Sequence, residues 1–156
     1  MIFAHPGHRS MSIEDDVALF ERVPTLSLLG TAALRMLAIG SEQRDFSAGD
    51  YLFNAGDEAD AGYIVQRGSF RVEDGGAEVV AGPGSLIGEL ALIVAMKRPS
   101  SAVALDHASV IRVARSLFQR VLESDPAAAR RLRDELATRT SQLASDILMA
   151  GAKLSI

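Results

Sequence analysis

Residues 88–105 read GELALIVAMKRPSSAVAL. A glycine and a glutamate open what reads as one turn of helix. A short apolar run follows, then Lys97-Arg98, then Pro99 and two serines. Helix-compatible residues directly after Gly88 leave backbone N–H groups free at the first turn, and glycine lets an anion approach them closely. A guanidinium at Arg98, returning across the same pocket, supplies a rigid fork that fits phosphate oxygens. Glu89 repels phosphate but accepts hydrogen bonds from sugar hydroxyls. Read this way, one end of the stretch holds a sugar and the other neutralises a phosphate. The bland alternative stands beside it: an acid at a helix start needs no ligand, and an arginine on a strand edge is usually a solvated charge.

Outward from this stretch, the chain changes character twice. Between Phe46 and about Val113, short β-prone runs (YLF, GYIVQ, SFRVE, AEVVA, SAVAL, SVIRVA) alternate with Gly- and Asp-rich turns. That spacing predicts a β-sandwich or barrel over 46–114, with DGG between RVE and EVV as a hairpin turn. Ahead of it, 13–45 reads as helices. Ser12 followed by Glu14, Asp15 and Asp16 is a cap with acids in the first turn; Val17, Leu19 and Phe20 give an apolar side, and Pro24 is read as the stop. A second helix is expected over about 28–40, with Leu28, Leu29, Leu34, Leu37 and Ile39 apolar and Gly40 at its end.

Behind the β region, 115–156 is expected to be helical. Ser116 to Leu122 forms a short helix, and Ser124-Asp125-Pro126 is a cap followed by proline at the first helical position. The last helix is expected from about Pro126 to Met149. Its Leu132, Leu136, Leu143 and Ile147 make a narrow seam that either docks on the chain's own core or pairs with a second copy as a homodimer. Residues 1–12, with Pro6 and Gly7 where a signal peptide has its apolar core, read as a flexible extension.

Composition excludes several classes of function. The 156 residues carry a net charge of −4 and no cysteine. Thiolate chemistry, disulfides, Fe–S clusters and Cys-type zinc sites are therefore out, and the absence of cysteine suits a cytoplasmic setting. An acidic chain is not drawn to nucleic acid or to an anionic membrane surface, and no apolar run approaches the roughly 20 residues of a membrane helix. His5, His8 and His107 form no HxH pair on a strand, so a cupin-type metal site is not expected. There is no GxSxG elbow for a serine hydrolase. The chain is therefore expected to bind rather than catalyse, and to use no metal.

The 88–101 segment resembles the phosphate-binding cassette of the cyclic nucleotide-binding domain family, with Gly88, Glu89, Leu90, Ala91, Leu92 and Arg98 on the family's positions. FSAGDYLFNAGDEADAGYIVQRGSFRV (46–72) resembles the family's first strands, with Gly49, Gly56, Asp57, Tyr63, Ile64 and Gly68 in place. LFERVPTLSLLG resembles the helical lead-in, GPGSLIGE the turn before the cassette, and SVIRVARSLFQRVL the last strand and the helix behind it. The resemblance covers about residues 17–148. It implies a β-roll of the jelly-roll kind binding cAMP or cGMP. Glu89 would then hold the ribose 2′-hydroxyl, Arg98 the cyclic phosphate, and backbone amides near Leu90 and Ala91 would add donors. The C-terminal helix would close over the base.

The pattern breaks at Pro99, where the family usually offers the phosphate a backbone N–H and often a hydroxyl. Proline has neither, a loss expected to weaken binding about ten- to a hundredfold. Ser100 and Ser101 are the hydroxyls placed to compensate, with Lys97 adding charge. Only about seven residues follow Met149, against the roughly 60 of a helix-turn-helix domain, so a sensor or regulatory module with no output domain and no DNA binding is expected. The alternative is a degenerate member that binds no nucleotide and serves as an interaction module.

Overall fold

The computed structural model describes residues 12–74 and 76–139. Among the described residues three helices precede the strands: α1 (Ile13–Glu21), the single turn α2 (Pro24–Ser27) and α3 (Thr31–Gly40). The expected cap is present as a reciprocal box. The Asp15 N–H donates to Ser12 Oγ at 3.1 Å, and the Ser12 N–H donates to Asp15 Oδ2 at 3.1 Å, satisfying two helix-end donors. Pro24 does not simply stop α1, which already ends at Glu21; it opens α2, where its fixed φ suits the first helical position. The second long helix starts at Thr31, not near 28. Leu28 and Leu29 lie in the connection, and their carbonyls accept hydrogen bonds from Arg131 at 2.6 and 3.0 Å. Ile39, expected on the apolar side, is 66% exposed.

The next residue of α1 carries a testable consequence. Burial, reinforced by the neighbouring Asp15 charge, pushes the Asp16 carboxyl up to about 6, and its Oδ1 is buried without a hydrogen-bond partner. The folded chain therefore holds this proton more tightly than the unfolded chain does. Its contribution to stability is fully present below the ordinary value of 3.8 and is lost as pH rises from there through about 6. Asp16→Asn should gain about 1 kcal/mol over wild type well above that window, allowing for screening at this half-covered position, and nothing well below it. Urea midpoints of both proteins on either side of the window measure this.

Ten strands follow: β1 (Glu42–Phe46), β2 (Tyr51–Phe53), β3 (Glu58–Ala59), β4 (Ala61–Arg67), β5 (Phe70–Asp74), β6 (Ala77–Ala81), β7 (Leu86–Ile87), β8 (Met96–Lys97), β9 (Ala102–Ala104) and β10 (Ala108–Ala114). They form two four-stranded antiparallel sheets, ordered β1-β10-β4-β7 and β2-β9-β5-β6, with a small β3-β8 ladder beside them. This is the expected β-roll bracketed by helices. Strand structure begins at Glu42, four residues ahead of the expected boundary at 46. EQRDF is an edge strand that covers only Gln43 and Phe46 in part, so it lacks the apolar alternation that marks a half-buried strand.

Strands β4 and β10 lie side by side, with Ile64 opposite Ile111 and Tyr63 opposite Arg112. Successive side chains point to opposite faces, and here both faces are covered. Ile64, Ile111 and Val113 pack against Phe20, Leu26, Leu34, Leu37 and Phe118 of the helices. Tyr63, Val65 and Val110 pack inside the roll with Phe53, Phe70 and Ile87. Double burial explains why GYIVQ and SVIRV read as nearly continuous apolar runs.

After β10 the chain enters α4 (Arg115–Ser124) and then a helix, α5, described over 126–139. Asp125 Oδ1 accepts from the Ala128 N–H at 3.2 Å, which is the cap that Ser124-Asp125-Pro126 announced. Leu132 is 3% exposed, and it joins the helical core with Leu136 packed beside it. The near half of the seam thus docks on the chain itself. Leu143, Ile147, the extension 1–11 with His5 and His8, and Gly75 of the DGG turn lie outside the described residues.

Candidate functional site

Gly88 to Leu92 turns out of β7 into a single 3-10 turn, Glu89–Leu92, with Gly88 at φ +79°. The turn's own hydrogen bonding begins with the Ala91 N–H, which donates to Gly88 O at 3.1 Å. The expected donor at Ala91 is therefore already engaged. The amides of Glu89 and Leu90 are those the turn itself leaves open. Ala91 is buried under the turn, and Leu90 stands 56% exposed at the rim.

Arg98 lies directly over Gly88. A Cβ on that glycine would fall 2.5 Å from Arg98 Nη1, so only glycine permits the approach. The Arg98 backbone is tied on both sides to the turn at 54–57: its N–H donates to Asp57 O at 2.7 Å, and its carbonyl accepts from the Gly56 N–H at 2.8 Å. The side chain is 5% exposed. Its guanidinium stands 4.2 Å from the Phe53 ring centroid and 5.5 Å from that of Tyr63, and Nη2 donates to Ala61 O at 2.8 Å. Nε is buried with no partner, and among the described residues no carboxylate forms an ion pair with Arg98. Asp60, whose charge also acts on Arg98, is bridged at 3.1 Å by Arg112. Burial consequently pulls Arg98 below the ordinary arginine value, against the pull of Tyr63 and Asp60. The group stays charged, and a buried cation of this kind seeks an anion.

The guanidinium forms the polar end of a cavity of about 440 Å³, within the range of small-molecule sites. Gly88, Glu89, Leu90, Ala91, Arg98 and Ser100 all line it. So do Pro99 and the apolar side chains of Phe53, Val72, Val79, Val80, Leu86 and Met96. Two expected residues go elsewhere. Ser101 Oγ accepts from the Ala55 N–H at 2.8 Å and lines a neighbouring recess with Tyr51 and Arg71. Lys97 faces Glu58 at 3.6 Å across the β3–β8 ladder.

Residues 43–125 match the family described as the cyclic nucleotide-binding domain. The chain belongs to that family. A cyclic nucleotide-binding-like protein from Brucella abortus is 37% identical, over 70% of this chain and 98% of its own, at a TM-score of 0.61. The N-terminal domain of a transcriptional regulator from Streptomyces coelicolor is 26% identical, over 83% of this chain and 94% of that one, at a TM-score of 0.75. An uncharacterised NTE family protein of Mycobacterium tuberculosis is 33% identical over 77% of this chain, and the chain spans 22% of that relative's length.

Residues that the motif does not mark also reach the 88–101 turn. Arg115 Nη1 donates to Ala59 O at 2.8 Å, Ala91 O at 3.0 Å and Val94 O at 3.2 Å, stapling the end of the cassette turn to the start of α4. Its position is itself a signal. A cation in the first turn of a helix opposes the helix dipole, so it needs employment elsewhere. Thr25 of α2 donates its hydroxyl to Glu89 Oε2, and Arg139 of α5 holds Glu89 Oε1 at 3.5 Å. Neither carries a signal in the sequence. Among the described residues no group of His, Cys, Asp or Glu is arranged to hold a metal ion, and no helix is long and apolar enough to cross a membrane.

Proposed function

We propose that the cavity binds a cyclic purine nucleotide, cAMP in preference to cGMP, and that the chain is a sensor or regulatory module acting in the cytoplasm. In this reading the cyclic phosphate sits on Arg98 and the open amides of Glu89 and Leu90, with Ser100 beside it. The ribose 2′-hydroxyl reaches Glu89, and the base lies against the exposed apolar rim of Val79, Val80 and Leu90. One observation supports the reading most: Arg98, 5% exposed and with its Nε unpartnered, closes one end of a cavity lined largely by apolar side chains. Pairing with a second copy is proposed only through Leu143 and Ile147 of the expected seam. The similarity to lysophospholipases spans 7% and 10% of two of those chains, too little to carry their activity over. We assign this chain binding and not catalysis.

A ligand that occupies the folded state a hundredfold above its dissociation constant adds about 2.7 kcal/mol. For a chain of this size that raises the melting midpoint by about 5–10 °C. Thermal melts with millimolar cAMP, cGMP and AMP should show such a shift for the cyclic nucleotides alone, larger for cAMP. No shift with either would leave the degenerate interaction module, a reading favoured by Pro99 at the cavity and by the engaged carboxylate of Glu89. Pro99→Ser restores an N–H and a hydroxyl beside the phosphate. It should tighten cAMP about ten- to a hundredfold by isothermal titration.

A further inference from the structure

Both oxygens of Glu89 are taken in this conformation. Thr25, 6% exposed, donates to Oε2. Arg139 Nη1 lies 3.5 Å from Oε1, and Arg139 Nη2 donates to Thr25 Oγ1 at 3.2 Å, closing a three-residue ring. Glu135 steadies Arg139 more loosely, at 4.0 Å. The helix that carries Arg139 is fixed at its root by Arg131 on Leu28 O and Leu29 O and by buried Leu132. The ring therefore joins the cassette, α2 and α5 at Glu89, which lines the cavity together with Glu73.

We propose that Arg139 and Thr25 are specificity-determining residues of the site: they hold Glu89, so docking of α5 competes with recognition of a ligand hydroxyl vicinal to the phosphate. This rests on the reading of the cavity as a cyclic nucleotide site. A hydroxyl that displaces Arg139 gains one hydrogen bond and loses an ion pair of similar strength, because the pair is half-exposed. The 2′-hydroxyl is thus nearly silent in affinity while α5 is docked. Its binding also frees Arg139, which loosens the helix instead of closing it.

The test is titration of wild type, Arg139→Ala and Glu89→Gln with cAMP and with 2′-deoxy-cAMP. Wild type should separate the two ligands by less than about twofold. Arg139→Ala should bind cAMP about three- to fivefold tighter and leave the deoxy ligand unchanged, and Glu89→Gln should erase the difference. Equal weakening of both ligands in Arg139→Ala, or no change in either, overturns the competition while the nucleotide site stands. Failure of both ligands to bind wild type overturns the site and the competition together. In ligand-free protein, amide exchange across 126–139 should quicken to the same degree in Arg139→Ala, Glu89→Gln and the double variant. Additive effects in the double variant would show that the two residues are not one contact.

Discussion

Replacing Arg98 with methionine is expected to reduce cAMP affinity at least about a hundredfold while the chain stays folded. The phosphate would lose its one buried counter-charge, and truncating one partner of such a pair costs several kcal/mol, mostly because the other charge is left unmatched. Methionine keeps volume between Phe53 and Tyr63, the rings against which the guanidinium packs. It also removes a buried cation whose Nε has no partner. Stability should therefore hold or rise, the reverse of the usual result for a core substitution. Isothermal titration and a urea midpoint on the same preparation separate the two effects. A ligand-free stability loss as large as the loss of affinity would mean that Arg98 serves the fold first.

The largest effect on stability is expected from Gly68→Ala. Gly68 turns the chain between β4 and β5 at φ +75°, and a Cβ there would fall 2.5 Å from His107 O and 2.7 Å from Ala108 Cα and Cβ. Two of those three atoms are backbone, so no side-chain rotation relieves the clash. The surrounding loop is also fastened: the Ser69 N–H donates to Asp106 Oδ1 at 2.9 Å, and the Leu105 N–H donates to Ser69 O at 3.0 Å. Relief would require moving Ala108, the first residue of β10, which pairs with β1. Left-handed strain and overpacking together should cost about 3 kcal/mol, read as a drop in the urea midpoint. A variant within 0.5 kcal/mol of wild type, about the size of an ordinary surface change, would show that this loop gives way.

Much of this architecture is legible in the residues because its signals are local. The Ser12 cap, the Asp125 cap and the runs GYIVQ and SVIRV each mark an element by neighbours a few positions apart. What escaped was short or polar. The bridges β3, β7 and β8 have two residues each, too few for any periodicity, and β1 is charged because one edge of its sheet faces solvent. The site divides in the same way. Gly88, Glu89 and Arg98 sit within one continuous stretch, so their meeting is a matter of a single turn and return. Thr25, Arg139 and Arg115 reach the cassette only through packing of helices from both ends of the chain, and no spacing encodes that. Ser101 reads as a ligand hydroxyl, and its Oγ also accepts from the Ala55 N–H, a pairing across 46 residues that no local spacing encodes.

The central claim is that a cyclic phosphate sits on Arg98 at the head of the 88–101 turn. The most direct test is a crystal structure of the chain grown with saturating cAMP. The phosphate oxygens should lie within hydrogen-bonding distance of the Arg98 guanidinium and of the Glu89 and Leu90 amides, with the purine against Val79, Val80 and Leu90. A phosphate bound elsewhere, or a cavity empty at saturating nucleotide, would contradict it.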